Sequence, residues 1–339
     1  MAVLVTGATG HIGNTLCRIL SEEQQDIRAM VRSTSDLTPV RDLDVQTVEA
    51  NLLNPASLEH ALEDCEVVYH TAAVYKLWSP NPELDIIKPA VEGTRHLFEA
   101  ARNQDVRKIV YVSSVSAIGS GDNFEHNLTT ENWNTEASSP YNIAKTRSEQ
   151  LAHELAGSYD IPTIFVLPTM VLGPYDYKIT PSTSLVRDFL LGKLRFTYRG
   201  AYSVTDCRDV VHGLLLAERY GTPGKRYILG GTQVTIEELF TQLAEMTTVS
   251  APRFGISKQI AHFIAHPTSW FASLLGTEPL FTPEAVESTI GKYYNFPSTL
   301  AEEELGYSYR SLMRVLEDTI NWLIQRNEIP QDIRVVENA

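Results

Sequence analysis

The 339-residue sequence has only three cysteines, Cys17, Cys65 and Cys207, placed singly and with no Cys-x-x-Cys pair. This excludes a disulfide framework and a cysteine zinc site, and it fits a reducing compartment. Basic charge is also scarce. Against 42 acidic residues there are 28 lysines and arginines, a formal net charge of −14, with no basic cluster anywhere. Nucleic acid and anionic membranes are therefore not expected as main partners. No apolar run approaches the length of a transmembrane helix, so no stable membrane insertion is expected. The opening "MAVLVTGATG" has no basic stretch ahead of its apolar run and reads as a buried strand, not a signal peptide. The expectation is a soluble cytoplasmic protein without a metal. Its 43% hydrophobic content is enough for a sizeable core in one large domain or two lobes.

Through the first half, short β-branched runs alternate with helical patterns. "AVLVTG" (2–7), "IRAMVR" (27–32), "EVVYHTA" (66–72), "KIVYVSS" (108–114) and "PTIFVLPT" (162–169) are separated by helices after Gly10, around 55–63, near 90–103 and from about Tyr141. Apolar runs this continuous belong to strands covered on both faces. The alternation predicts an α/β fold, a doubly wound parallel Rossmann sheet. From about residue 170 the rhythm breaks. A helix is expected at 182–192, a returning strand at 224–231, and mostly helical chain over 235–325. The resulting division places 1–170 and about 204–231 in a dinucleotide-binding domain. A smaller substrate lobe takes about 171–203 and 232–328, and 329–339 form a polar, mobile tail. The apolar stretch 256–276 suits a greasy pocket or a membrane surface, and lobe packing is the favoured reading.

"VTGATGHIG" sets Gly7, Gly10 and Gly13 between the first strand and first helix. Glycines there allow a tight turn and let the backbone approach a pyrophosphate at a helix N-terminus. At the end of the second strand, an NAD site usually carries an acid for the ribose 2′-hydroxyl. This chain has Arg32 and Ser33, and a guanidinium there pairs with a 2′-phosphate. NADPH (or NADP) is favoured over NADH, with Asp36 close enough to keep NADH in play. A strand-end serine pair, Ser113 and Ser114, then precedes Tyr141 and Lys145, which share a helix face one turn apart.

On "TGATGHIG", "YHTAAVYKLWSPNPE", "VEGTRHLFEAA", "YVSSVSAIG", "PYNIAK", "LPTMVLGP" and "GKRYILGG", the chain resembles the extended, epimerase-like branch of the short-chain dehydrogenase/reductase superfamily. It is most similar to bacterial relatives of dihydroflavonol reductase and 3β-hydroxysteroid dehydrogenase, including the hopanoid-associated sugar epimerase-like proteins. The resemblance runs from residue 3 to about 231. It implies Ser114, Tyr141 and Lys145 as the catalytic set, with Ser113 and Ser116 as alternatives to Ser114. It implies cofactor contacts at Gly7, Thr9, Gly10, His11, Ile12, Gly13, Asn51, Leu52, Thr71, Ala72, Ala73, Pro168 and Val171, in addition to Tyr141 and Lys145. His70 and Asp209 read as structural. A homodimer through the helices near 90–103 and 141–157 is expected from the resemblance only. One departure stands out: Ala90 occupies the place of a family asparagine, so a proton relay through that amide is not expected.

A free tyrosine has a pKa near ~10, so work near pH 7 needs a shift worth roughly 4 kcal/mol. The Lys145 ammonium and an oxidised nicotinamide are sources of that shift. Ser114 is followed by Val115 and Ser116, without the acid pair of sugar-nucleotide dehydratases, and Arg32 opposes the epimerase pattern. Reduction of a ketone or aldehyde fits best. An NAD-retaining epimerase and a dinucleotide-binding redox sensor are the alternatives. Tyr75, Trp78 and Tyr175 are expected to face a sizeable, partly apolar carbonyl substrate.

Overall fold

Strands that are covered on both faces can be apolar along most of their length, and the inner strands of the central sheet are. The computed structural model describes residues 2–73, 78–125, 128–265 and 283–333. In chain order the first half runs β1 (Ala2–Thr6), α1 (His11–Glu22), β2 (Ile27–Val31), β3 (Gln46–Glu49), α2 (Pro55–Leu62), β4 (Cys65–His70), α3 (Lys88–Asn103), β5 (Lys108–Val112), α4 (Pro140–Tyr159) and β6 (Thr163–Pro168). All six residues of β6 are buried. The second half holds β7 (Met170–Leu172), α5 (Pro181–Leu190), β8 (Phe196–Thr197), β9 (Gly200–Asp206), α6 (Cys207–Tyr220), β10 (Arg226–Leu229), β11 (Thr232–Thr235), α7 (Ile236–Met246), β12 (Phe254–Gly255), α8 (Pro283–Thr289), β13 (Lys292–Tyr294), α9 (Thr299–Leu305) and α10 (Leu312–Gln325).

Seven strands form one parallel sheet in the order β10-β6-β5-β4-β1-β2-β3. One core, with Leu58, Leu97, Phe98 and Phe165, lies under α2, α3 and α4. The other, with Leu16, Val110, Ile164 and Leu214, lies under α1 and α6. The doubly wound expectation therefore matches the observed architecture. The direction of winding reverses between β1 and β4, and the carboxyl ends of those strands open a crevice suited to a ligand. Local signals place the helices around it. Pro140 sits in the first turn of α4, whose N-cap Ser139 accepts a bond from Asn142 N. The reciprocal Thr235/Glu238 capping box starts α7.

A second, smaller sheet is built on β9, which pairs with β11 antiparallel and with β7 and β13 parallel. It packs with α5, α7 and α10 around Phe189, Phe240, Val315 and Leu316. The sequence reading had no β3, a short and largely exposed edge strand (QTVE), whose weak pattern carries no burial signal. It also read 235–325 as mostly helical and assigned all of 232–328 to the substrate lobe. The described residues there are indeed mostly helical, but the lobe assignment is corrected at residues 301–307. Strands β12 and β13 interrupt the helices, and Ala301, Leu305 and Tyr307 bury in the core of the first domain against α6 and β10. The tail expectation is also corrected up to Ile333, since Ile329 and Ile333 are buried in the second lobe. Of the stretch 256–276, residues 266–276 lie outside the described residues. The helical turns at 258–265 bury Ala261 and Ala265 against Val286 and Ile290 of the α8 region. No helix among the described residues is long and apolar enough to cross a membrane.

Because Leu305 closes the first domain's core, Leu305→Ala is expected to lower unfolding free energy by about 2–5 kcal/mol. Denaturant unfolding checks this.

Candidate functional site

The crevice is a cleft of about 670 Å³ that runs from Met30 and Arg32, across the glycine loop, to Ser114, Tyr141 and Lys145. Gly7 and Gly13 of the loop have a steric reason to be there. Gly7 has φ 68°, and a Cβ on it would stand 2.7 Å from Ala72 Cα. A Cβ on Gly13 would overlap the carbonyl oxygen of Gly7. The loop is closed by Gly10 N donating to Gly7 O at 2.8 Å, and no side chain caps α1. The first N–H groups of α1 therefore face the cleft with their partial positive charge. Gly7, Thr9, Gly10, His11, Ile12 and Gly13 all line it, as do Thr71, Ala72 and Ala73 from the end of β4. A backbone cradle that any side chain would fill, beside an uncapped helix start, fits a dinucleotide pyrophosphate.

Arg32 is exposed at the end of β2 and lines the cleft, but Ser33 does not. Ser35 takes that place, because the turn after β2 bonds Arg32 N to Ser35 Oγ at 3.0 Å and Ser35 N to Arg32 O at 2.9 Å. Asn51 and Leu52 line the adjoining wall. Asn51 Oδ1 accepts from Leu53 N at 3.0 Å, and Leu52 packs onto Gly93 of α3.

At the other end, Lys145 Nζ donates to the carbonyls of Val112 and Ser113, each at 3.3 Å. Burial pulls the Lys145 pKa down to about 8, and the Glu149 carboxylate opposes that pull. Glu149 is fully buried one helical turn beyond Lys145. It accepts a bond from the Ser113 hydroxyl and another from Arg226 Nε at 2.6 Å. This separates the three serines that the sequence left open. Ser113 spends its hydroxyl on Glu149, and Ser116 does not line the cleft. Half-buried Ser114 does line it, and its Oγ accepts from Ser116 N at 3.2 Å. Pro168 and Val171 line the same end, as does Ala90, so no amide stands where the family asparagine would.

His70 is buried beneath this site, with Nδ1 2.9 Å from Thr6 Oγ1 and its ring against Tyr111. Burial first, and the nearby Lys145 charge second, hold its pKa at about 3.

The expected substrate residues fare differently. Tyr75 lies outside the described residues. Trp78 is half-buried and does not line the cleft. Tyr175 is turned away: its ring packs on Trp322 (5.6 Å between centroids) beneath the Arg18 guanidinium, so the loop uses it for anchoring. Several lining residues were missed by sequence reasoning, among them Asp85, Thr94, Tyr111 and Lys178. Tyr111 lies within a strand run and Lys178 in a loop, where no local spacing marks them.

The folded protein keeps His70 neutral down to about pH 3, whereas an unfolded chain takes up that proton near pH ~6.5. Stability from this group is complete above pH ~6.5 and falls progressively as pH drops from there toward 3. In His70→Gln, the pH slope of unfolding free energy between pH 6 and 4 is expected to shrink by up to about 1.4 kcal/mol per pH unit. Denaturant melts at several pH values measure it.

Comparison with known proteins agrees with this geometry. Residues 3–230 match the model of the NAD dependent epimerase/dehydratase family. A putative dihydroflavonol 4-reductase from Synechocystis sp. is 29% identical over 324 residues, covering 94% of this chain and 93% of that protein. Sterol demethylase protein B from Methylococcus capsulatus is 33% identical over 269 residues, covering 78% and 80%. The crystal structure of gox2253 superposes with a TM-score of 0.86 at 33% identity over 97% of this chain and 99% of that one. The chain belongs to the NAD dependent epimerase/dehydratase family, within the extended short-chain dehydrogenase/reductases, and is an NAD(P)-dependent oxidoreductase.

Proposed function

We propose that the protein reduces a ketone or aldehyde to an alcohol with NADPH. The observation that carries this reading is the meeting of Ser114, Tyr141 and Lys145 at one end of a cleft whose other end presents Arg32. Gly7 to Gly13, with the α1 N-terminus, would hold the pyrophosphate; Arg32 would hold the 2′-phosphate; and Lys145, Pro168 and Val171 would sit against the nicotinamide half. The bound dinucleotide supplies a hydride to the carbonyl carbon. Ser114 donates a hydrogen bond to the carbonyl oxygen and aims it at Tyr141. Tyr141 gives that oxygen its phenolic proton, so the product is the alcohol and the tyrosine is left as phenolate. The Lys145 ammonium, one helical turn away, stabilises the phenolate by charge. A carboxylate at Ser116, as dehydration requires, is absent.

The substrate is inferred to be sizeable and partly apolar. The names of the two relatives, a dihydroflavonol reductase and a sterol demethylase protein, point to ring-built compounds of that kind. A cytoplasmic location and a homodimer through α3 and α4 complete the proposal. They rest on composition and on family likeness.

Protein purified without added cofactor is expected to release no nucleotide on denaturation, or a trace of NADP(H). Near-stoichiometric NAD would instead mean a retained cofactor and an epimerase. Tyr141→Phe is expected to lower turnover of a model ketone roughly 10²–10⁴-fold while NADPH still binds. Unchanged turnover would overturn the assignment of Tyr141.

A further inference from the structure

The loop after β7 delivers one cation to the cofactor cleft from the second lobe. Residues 173–180 are pinned to α1: His11 Nε2 donates to Pro174 O at 2.8 Å, and Asn14 Nδ2 donates to Tyr175 O at 3.0 Å. Below them the fully buried Asp176 carboxylate stands 3.9 Å from His11 Nδ1 and accepts the N–H and hydroxyl of Thr180, each at 2.7 Å. Trp322 Nε1 donates to the Asp176 carbonyl at 3.2 Å. Ile179 is held at φ 49°, a conformation a β-branched residue adopts only where its surroundings force it. The loop is thus rigid where Lys178 leaves it.

Lys178 Nζ reaches back to the glycine loop, 3.3 Å from Thr9 Oγ1, and lines the cleft together with Arg32 and Ser35. Its pKa is lowered by burial first and by the Arg32 charge second, with the Asp36 and Asp176 carboxylates opposing the shift. The nearest acids are engaged elsewhere. Asp36 accepts the N–H and hydroxyl of Thr38, and Asp176 serves Thr180 and His11. Among the described residues neither Lys178 nor Arg32 has a salt-bridge partner. Two like charges line one space, and the acids that act on Lys178 are each already hydrogen-bonded to a threonine, which leaves both cations able to take up an added anion. The cluster of α1 N–H groups already serves the pyrophosphate, which leaves the space beside Arg32 for a phosphate monoester.

We propose that Lys178 and Arg32 form a two-cation site for the 2′-phosphate, one cation from each lobe, so that cofactor choice depends on the loop of the second lobe. This rests on the NADPH reading above. The experiment is equilibrium binding of NADPH and NADH, read by nicotinamide fluorescence, to the full chain and to Lys178→Gln and Lys178→Arg. Lys178 has no salt-bridge partner among the described residues, and its replacement is expected to leave the melting temperature unchanged. In Lys178→Gln, NADPH affinity is expected to fall about ten- to a hundred-fold with NADH affinity unchanged, and Lys178→Arg is expected to recover it. Competition by 2′-AMP should weaken in parallel, and competition by 5′-AMP should not. A wild-type chain without preference for NADPH overturns the NADPH reading itself. A wild-type preference with equal loss of both cofactors in Lys178→Gln would place Lys178 on the pyrophosphate, and loss of neither would remove it from the site. Either result overturns the proposal while leaving the NADPH reading standing.

Discussion

The end of the cleft lined by Ser114, Tyr141 and Lys145 hangs on one buried carboxylate. Glu149 has no contact with solvent, yet it ties three parts of the chain together: its own helix α4, the end of β5 through Ser113, and β10 through Arg226. Arg226 extends the network, donating to the carbonyls of Thr130 and Asn132 and lying over the Trp133 ring at 3.9 Å. The loop that joins Ser114 to Tyr141 is therefore held from the far edge of the sheet. A buried ion pair contributes little net stability, because desolvation offsets its attraction, but removing one partner is costly. Its value here is positional. It engages the Ser113 hydroxyl, leaves Ser114 lining the cleft without that partner, and keeps negative charge near a lysine whose pKa burial lowers.

A second tie joins the two lobes. His11 stands at the start of α1, beside the glycine loop, and reaches Pro174 and Asp176 of the second lobe. Burial alone would lower its pKa. The Cys207 sulfur, the Asp176 carboxylate and the Pro174 carbonyl outweigh burial and raise it to about 9. The imidazolium thus bridges the cofactor loop and the chain that carries Pro168, Val171 and Lys178 along the same cleft. One continuous segment, residues 168–180, contributes lining along the cleft, from Pro168 and Val171 to Lys178 and Thr180.

Ala90 shows how the fold accommodates a missing group. Its carbonyl accepts a bond from the Thr94 hydroxyl at 3.0 Å, and that hydroxyl lies 3.0 Å from the Tyr111 phenol. Ala90, Thr94 and Tyr111 all line this wall of the cleft, and these hydrogen bonds join them. In the proposed reaction, hydride transfer and proton donation would run through Ser114, Tyr141 and Lys145, none of which the change at Ala90 removes from the cleft.

The sequence by itself determined what depends on local periodicity and on backbone stereochemistry. The continuous apolar runs of β1, β4, β5 and β6 require burial on both faces. Gly7 and Gly13 meet a φ and a clearance that only glycine satisfies. Tyr141 and Lys145 share a face because they are one helical turn apart. Tertiary structure decided whatever depends on residues distant in sequence. It paired the Ser113 hydroxyl with Glu149 and not that of Ser114, put Ser35 and not Ser33 in the cleft lining, turned Tyr175 onto Trp322, and brought Lys178 to Thr9 across 169 residues. It also returned α9 to the first domain's core. Periodicity reports which face of an element is apolar, but the partner of that face, or of a buried charge, exists only once the chain has closed on itself.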